Sequence, residues 1–563
     1  MQWKAKPIPE KEATENLAKA LGVSPILAEL LLQRGITSFD EAKSFFRPSI
    51  DHLHDPFLME GMAAAVNRIE RAKKNQDRLM IYGDYDVDGT TSVALMYSFL
   101  APHFDQISSY IPDRYTEGYG ISTQGIDHAA AKGVKLIIAL DCGVKALEKV
   151  SYAKSKGIDF IICDHHRPGE ALPEAIAVLD PKRSDCSYPY KELCGCGIGF
   201  KLIQALTQQW TLPLETLSPY LDLVALAIAA DIVPITGENR VLCALGIDQL
   251  RNTPRYGLQP FLQQLKKPAT VTDLVFVVAP RINAAGRMAH ALNAVELLLS
   301  PDLDQAGQSA QAIEVFNQER RSTDERITAE ALAQIDQTHA SDAAATVVYA
   351  EDWHKGVIGI VASRLIEKHY RPTVVLTKSG DVYAGSVRSV HGFDVYQALA
   401  ACKDHMLQFG GHKYAAGLTL KPDQLQGFKT AFEKAVQTKI TKDQQSPVIE
   451  YDACIGLDEV RPKMYRIINQ MAPFGPKNMR PVFRINNCLD AGGTRAVGKD
   501  NDHLRLQLQT SSGVLSGIAF GEGSLSSEIQ RGTSFDLLCT LDENEWNNTI
   551  SLQLKVKSIR LHA

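Results

Sequence analysis

Short, continuously apolar runs alternate with amphipathic segments through the first half of the chain, and the residues that end those runs are acidic or histidine. Leu79-Met80-Ile81-Tyr82-Gly83 breaks into Asp84-Tyr85-Asp86-Val87-Asp88-Gly89, and Leu136-Ile137-Ile138-Ala139-Leu140 ends on Asp141. Phe160-Ile161-Ile162-Cys163 ends on Asp164-His165-His166, and Leu226-Ala227-Ile228-Ala229-Ala230 reaches Asp231. Runs this short and apolar at every position predict strands buried on both faces of a parallel sheet. Between them, residues 62–73, 89–100, 122–132 and 145–156 read as helices, while 107–111 and 177–179 add strands. From about residue 60 to 260 the alternation predicts an α/β, doubly wound parallel sheet. Ligand sites in such sheets gather beyond the carboxyl ends of the strands, so these distant acids and imidazoles are expected to converge.

The rest of the chain changes character three times. Residues 10–48 predict short helices, whose simplest role is to pack against the domain that follows. Residues 302–339 predict one long polar helix, with apolar positions at Leu303, Ala306, Ala310, Ile313, Val315 and Phe316, better suited to bridging two lobes than to filling a core. A second alternating unit runs from 344 to 435, and a Lys-, Gln- and Ser-rich stretch at 438–447 reads as a linker. Beyond it, period-2 alternation such as Leu504-Arg505-Leu506-Gln507-Leu508 with Gly-rich turns predicts a small β-barrel.

A length of 563 residues suggests about three or four domains. The net charge of −5 means that attraction to a polyanion would have to come from local basic patches and bound cations. The 10 cysteines mostly sit inside apolar runs, without paired CxxC spacing, and read as reduced thiols. No apolar signal core and no run long enough to span a bilayer is present, so the expectation is a cytoplasmic protein.

Asp84, Asp86 and Asp88 lie two apart on a turn whose Gly89 permits close backbone approach. Carboxylates so close repel one another unless cations neutralise them. An Asp-rich helix N-terminus, favoured by the macrodipole, is the plainer explanation of the triplet alone. Joined to Asp141, His165 and Asp231, the set has the carboxylate and imidazole chemistry that suits Mn²⁺, Mg²⁺ or Zn²⁺.

These stretches, with Thr90-Thr91-Ser92, Asp141-Cys142-Gly143 and Ala230-Asp231-Ile232-Val233-Pro234, resemble the four motifs of the DHH phosphoesterase superfamily. Gly410-Gly411-His412-Lys413-Tyr414-Ala415-Ala416-Gly417 is similar to the glycine-rich motif of the DHH-associated domain. Residues 111–120, 281–288 and 385–389 narrow the resemblance to the RecJ family, bacterial exonucleases that degrade single-stranded DNA from the 5′ end. It implies a DHH catalytic domain at 51–300 after an N-terminal helical segment at 1–50, and a connecting helix at 301–340. A smaller α/β DHH-associated domain at 341–437 and an OB-like β-barrel, a nucleic-acid-binding domain, at 448–563 complete the expected order.

The resemblance also implies roles. Two divalent cations, Mn²⁺ or Mg²⁺, are expected, bridged by Asp141, one held by Asp84 and Asp86 and the other by Asp88, His165 and Asp231. Asp164 is expected to orient His165, and His166 to meet the scissile phosphate. Arg114, Ser386 and Arg388 resemble residues that hold a 5′-phosphate; Arg281, Asn283 and Arg287 would meet the next phosphates or the lobe interface, and His412 the phosphate at the cleft or its own turn. The expected partners are single-stranded DNA, a single-strand-binding protein and a DNA helicase, in recombination and repair, with no membrane. One departure stands out: where the family often has Pro-Phe-Gly-x-Gly-Asn-Pro, this chain has Pro473-Phe474-Gly475-Pro476-Lys477-Asn478-Met479, which implies an altered turn. Two rival readings share these motifs: a phosphodiesterase for very short oligonucleotides or cyclic dinucleotides, against which the extra β domain argues, and a non-catalytic DNA scaffold, against which the full ligand set argues.

Overall fold

Five short strands carry the first part of the chain: β1 (Leu79–Gly83), β2 (Ile107–Tyr110), β3 (Leu136–Leu140), β4 (Asp159–Cys163) and β5 (Ala177–Leu179). All pairings are parallel, in the order β2-β1-β3-β4-β5. The structure, a computed structural model, describes residues 1–337, 343–511, 513–546 and 549–562. Every residue of β1 and β3 is buried, which is why those runs carry no polar alternation. The strand order reverses between β1 and β3, and a crevice opens where chains leave a parallel sheet in opposite directions. Asp84, Asp141 and Asp164 each follow the last residue of β1, β3 and β4.

The run that reaches Asp231 is not a strand. It is the helix Leu221–Ala230, buried at every position from Leu221 to Ala229. A helix surrounded by protein has no polar face, so its sequence loses the 3.6-residue period and reads like a buried strand. Asp231 still ends the run, at the helix C-terminus.

The long helix spans Leu303–Gln337, and its expected end at His339 lies outside the described residues. Its buried face is one stripe: Ala306, Ala310, Ile313, Asn317, Arg320, Asp324, Ile327, Ala331 and Ile335. Val315 and Leu303, counted as apolar positions from the sequence, instead point to solvent. The middle of the stripe is polar: Arg320 donates to Asn317 Oδ1 at 2.8 Å, and Arg364 pairs with Asp324 at 2.7 Å.

The following sheet is mixed rather than parallel. It contains β6 (Thr346–Ala350), β7 (Thr373–Ser379), β8 (Val382–Arg388), β9 (Gln408–Gly411) and β10 (Ala415–Leu420), in the order β9-β10-β8-β7-β6. Only β6 and β7 run parallel.

Residues 3–55, 232–248 and 449–563 form a unit of their own. Its sheet comprises β11 (Ala453–Cys454), β12 (Phe483–Cys488), β13 (Arg495–Val497), β14 (His503–Thr510), β15 (Gly513–Ala519), β16 (Phe535–Trp546) and β17 (Thr549–Leu561), ordered β11-β12-β16-β17-β15-β14-β13. Among the described residues no pairing joins β11 to β13, so the expected barrel is not closed by backbone bonds. The N-terminal helices Lys11–Leu21, Pro25–Leu32 and Phe39–Phe46 belong to this unit. Leu17, Leu27, Leu30, Leu31 and Ala42 share one core with Phe483, Ile485, Phe535 and Leu537. Arg240 ties the inserted segment to both, donating to the carbonyls of Phe45 at 2.9 Å, Met471 at 2.8 Å and Ala472 at 2.9 Å.

The divergent turn has a clear geometry. Gly475 and Asn478 exchange backbone hydrogen bonds of 3.1 and 2.9 Å around Pro476-Lys477, and Lys477 has φ +63°. This left-handed position is the one the family pattern fills with glycine. Holding a side chain there costs about 1–2 kcal/mol, while glycine costs about 0.4–1 kcal/mol through the unfolded chain. Lys477→Gly is therefore expected to stabilise this unit by about 0.5–1 kcal/mol, measured by urea unfolding.

Candidate metal centre

The turn after β1 closes tightly on itself. A Cβ on Gly89 would lie 2.3 Å from the Asp84 carbonyl oxygen, so no other residue fits. Asp86 caps the helix Val87–Leu100, accepting the Gly89 N–H at 3.0 Å, as an Asp-rich helix start predicts. Asp88 does something different. Fully buried, it accepts the N–H groups of Gly195 and Cys196, both at 2.7 Å, at the start of the helix Gly195–Gln209.

Asp141 sits at the turn after β3 with φ +60°, an uncommon conformation that Asp tolerates better than most residues. Its N–H is held by the Cys163 carbonyl at 2.8 Å. Gly195 packs against it so closely that a Cβ there would lie 2.6 Å from the Asp141 Cβ. His165 Nε2 then lies 3.2 Å from Asp141 Oδ1, 3.6 Å from Asp231 Oδ2 and 3.9 Å from Asp88 Oδ2. Two ligand-competent groups result, Asp84–Asp86–Asp141 and Asp88–His165–Asp231, each with donor atoms within 4.8 Å of one another. A third combination, Asp141–His165–His166, meets the same spacing.

The electrostatics fit a cation. Burial, then Asp86, holds the Asp84 carboxyl well above the usual range. Burial, then Asp88, Asp86, Asp231 and Asp84, does the same to Asp141. Burial followed by Asp86 pushes Asp88 up to about 7, and burial followed by Asp88 and Asp86 pushes Asp231 up to about 8. His165 is pulled down to about 3 by burial and then by His166, so it is neutral and can donate a lone pair. Asp84 Oδ1 and Asp141 Oδ1 are buried without a hydrogen-bond partner among the described residues. Buried acceptors are rarely left so, and a divalent cation satisfies both. The donor set of oxygen and imidazole, without sulfur, is that of Mn²⁺ or Mg²⁺ as well as Zn²⁺.

Asp164 serves the neighbouring imidazole rather than the expected one. Its Oδ1 lies 2.8 Å from His166 Nδ1 and accepts the His166 N–H at 3.1 Å, while Oδ2 accepts the Val144 N–H at 2.8 Å. His165 Nδ1 has no partner among the described residues, so Asp164 does not orient it. Burial opposes protonation of His166, but the Asp164 hydrogen bond and the charges of Asp164, Asp231 and Asp88 prevail and push it up to about 9. Its Nε2 faces the Tyr119 hydroxyl at 3.2 Å. Asp180 follows the last residue of β5. It is fully buried with Oδ2 unpartnered among the described residues, and burial first of all pushes it up to about 7.

Beside the acids stands a group of guanidinium ions. The Arg114 guanidinium carbon lies 4.7 Å from the centre of the Tyr85 ring. Arg287 donates to the Gly356 carbonyl at 2.7 Å, and burial, then Arg114, Arg388 and Arg320, pull it down to about 10. Arg388 donates to Ser386 Oγ at 3.2 Å and the Val387 carbonyl at 2.9 Å. The helix Ile358–Lys368 begins against them: a Cβ on Gly359 would lie 2.9 Å from Ser386 Oγ and 3.1 Å from Arg388 Nη2. Gly286 brings the helix Ala279–Met288 onto the metal turn, where a Cβ would lie 2.6 Å from the Tyr85 carbonyl oxygen. Arg114, Arg287, Ser386 and Arg388 are thus brought together, and Arg320 joins them unforeseen.

Three further expected residues lie on the helix Ala279–Met288 and in the β9–β10 hairpin. Arg281 pairs with Glu314 of the long helix at 2.6 Å and donates to the Val277 carbonyl at 2.7 Å. Asn283 is half-buried on the same helix, its side chain without a hydrogen bond among the described residues. His412 is exposed in its hairpin, where its N–H donates to the Ala415 carbonyl at 2.8 Å.

Three family models match: the DHH family N-terminal domain over 78–228, the DHHA1 domain over 342–438 and the RecJ OB domain over 451–558. The single-stranded-DNA-specific exonuclease RecJ of Bacillus subtilis is 36% identical over 99% of this chain and 70% of its own length. The chain belongs to the RecJ family. The Dickeya dadantii RecJ is 32% identical, over 99% of both chains. The crystal structure of Thermus thermophilus RecJ in complex with Mn²⁺ superposes with a TM-score of 0.86 at 25% identity, over 99% of this chain and 79% of that one. Family membership accounts for the three-part order of DHH, DHHA1 and OB domains, and an OB domain stands where the sequence led one to expect a barrel. Among the described residues no helix is long and apolar enough to cross a membrane.

Proposed function

We propose that this RecJ-family chain is a metal-dependent exonuclease that hydrolyses single-stranded DNA from the 5′ end, in DNA recombination and repair. One observation carries the reading: the acids and imidazole at the ends of β1, β3, β4 and the helix Leu221–Ala230 form two adjoining groups, with Asp141 of one 3.2 Å from His165 of the other, beside the guanidinium group. Asp84, Asp86 and Asp141 would hold one divalent cation, and Asp141, Asp88, His165 and Asp231 a second. Such a pair supplies a nucleophilic hydroxide at neutral pH and offsets charge on the phosphoryl oxygens.

The chain's own groups do the rest. Asp164 fixes the His166 ring and keeps it protonated, so that Nε2 can donate to a non-bridging oxygen or to the leaving 3′ oxygen. Arg114, Arg287, Ser386 and Arg388 would bind the terminal 5′-phosphate, setting which bond lies over the acids. Water oxygen bonds to phosphorus, the bond to the 3′ oxygen breaks, and the 3′ oxygen takes a proton. The product is a 5′-mononucleotide, and the shortened strand again ends in a 5′-phosphate. The helicase and single-strand-binding protein expected as partners, and a cytoplasmic location, suit an enzyme that consumes unwound strands.

Incubation of strands labelled at either end with Mn²⁺, Mg²⁺ or chelator tests this. Nucleotides should leave from the 5′ end only, and only with metal; release from the 3′ end, or undiminished release in chelator, rules it out. Arg388→Ala should lower the preference for a 5′-phosphate over a 5′-hydroxyl by about tenfold to a hundredfold, the value of one or two charged hydrogen bonds. An unchanged ratio of kcat/KM would remove Arg388 from end recognition.

A further inference from the structure

We propose that Arg320, midway along the long helix, takes part in choosing the substrate end: its guanidinium receives the terminal 5′-phosphate together with Arg114, Arg287, Ser386 and Arg388. This rests on the functional reading above and adds to that site a residue lying in none of the motifs read from the sequence. Arg320 stands where an apolar side chain is the rule. The buried stripe of its helix runs Ile313, Asn317, Arg320, Asp324 and Ile327, the spacing of a face packed on protein. Arg321, the next residue, is exposed on another face.

A guanidinium taken out of water needs partners for its charge and for its fork of N–H donors. The partners that the chain supplies fall short. One donor reaches Asn317 Oδ1 at 2.8 Å, a neutral acceptor. Asp324 Oδ2 lies 3.8 Å from Arg320, beyond hydrogen-bond reach, and the same oxygen stands 2.7 Å from Arg364. Burial accordingly pulls Arg320 below the usual arginine range, against the charge of Asp324. Both partners lie on Arg320's own helix, one turn before it and one turn after. They aim the guanidinium before any ligand arrives, and such preorganisation lowers the cost of binding.

The neighbours select the ligand. Burial first, then Arg114, Arg388 and Arg320, hold Arg287 down, so the four guanidinium ions face one another, opposed at Arg287 by Asp86 from the metal side. The start of the helix Ile358–Lys368 closes on the same group. The Gly356 carbonyl accepts from Arg287 at 2.7 Å, and a Cβ on Gly359 would lie 3.1 Å from Arg388 Nη2. Buried like charges repel, and an anion among them relieves the repulsion. A phosphomonoester brings a charge of about −1.5 to −2 and three acceptor oxygens for the forks. An internal phosphodiester brings a single charge and fewer free oxygens, so each added arginine favours the strand end over its interior.

The test compares cleavage, with Mn²⁺, of strands bearing a 5′-phosphate or a 5′-hydroxyl by the full-length wild type, R320Q, R320K and R321Q. The ratio of kcat/KM on the two strands should fall by about tenfold in R320Q, the value of one charged contact. A merely structural role would lower both strands alike and leave the ratio where it was. R321Q removes the same charge from an exposed position and should keep the wild-type ratio. If R320Q melts at a lower temperature, R320K is read in the same way; an ammonium cannot replace the fork, so the ratio should still fall. Anisotropy of the two labelled strands in chelator reads the same preference without cleavage, and inorganic phosphate should compete for the wild type better than for R320Q. An unchanged ratio in both R320Q and R320K overturns the inference, and so does an equal loss in R321Q. A wild type with no preference for a 5′-phosphate would instead strike the end-recognition reading beneath it, so the two fail separately.

Discussion

Asp141→Asn is expected to reduce kcat on single-stranded DNA by roughly three to four orders of magnitude and, in chelator at pH 8, to raise the melting temperature. Both effects come from one charge. Asp141 belongs to the Asp84–Asp86–Asp141 group, its Oδ1 lies 3.2 Å from His165 Nε2 of the other group and is buried without a hydrogen-bond partner among the described residues, and the functional reading makes it the shared ligand. Losing a residue that merely supports a ligand costs about tenfold to a hundredfold, so losing a shared ligand should cost more. Without metal that charge faces Asp84, Asp86, Asp88 and Asp231, all of which, with burial, oppose its ionisation. Asparagine has the same shape, keeps the close approach of Gly195, and tolerates the φ of +60° as aspartate does. Removing a buried, unpaired charge should then stabilise the chelated protein by about 1–3 kcal/mol. A variant that is inactive but less stable would mean that Asp141 was holding the fold rather than the reaction. Activity within tenfold of wild type would end its role as a shared ligand.

The parallel sheet was legible because its strands are buried on both faces, so β1, β3 and β4 read as unbroken apolar runs ending on the residues of the site. The same rule misread Leu221–Ala230, since a helix enclosed on every side is also an unbroken apolar run. The N-terminal helices were legible as helices, but their partner was not. An amphipathic stripe states that something covers it, not what, and Leu30 meets a core built from residues beyond 450.

Within the site, side-chain identity pointed to convergence but not to pairing. Asp164 adjoins two histidines in sequence, and only the turn after β4 decides that it binds His166. Gly195 and Cys196 left one weak signal, glycines on both sides of Cys196 at a helix start; their N–H groups binding Asp88 could not be read from it. Arg281 was expected at the next phosphates or the lobe interface, and its pairing with Glu314, 33 residues away on another helix, could not be read from the sequence.

Chelated protein should lose stability as pH rises from about 6.5 to 8, and Mn²⁺ should restore it most at the upper end. Asp88 is raised from 3.8 to about 7 and Asp231 from 3.8 to about 8, with burial the larger cause in both, and Asp84 and Asp141 are raised as well. A carboxyl raised in the folded state holds a proton that the unfolded chain has already lost, so folding is penalised as pH climbs from the unfolded value through the folded one. His166, raised to about 9, acts in the same direction above 6.5, because its extra proton is also lost on the way up. His165 acts oppositely, but only between about 3 and 6.5, where the unfolded imidazole takes a proton that the buried one refuses. Above 6.5 nothing in the site offsets the carboxylates. Cations compete with those protons, so their stabilisation grows with pH. At a hundredfold excess over Kd one site contributes about 2.7 kcal/mol, or roughly 3 °C in Tm for a unit of this size. Thermal melts in chelator and in Mn²⁺ at pH 6.5, 7.2 and 8 should therefore diverge. Parallel curves, with the same metal-induced shift at each pH, would show that these four carboxylates do not bind the cation together.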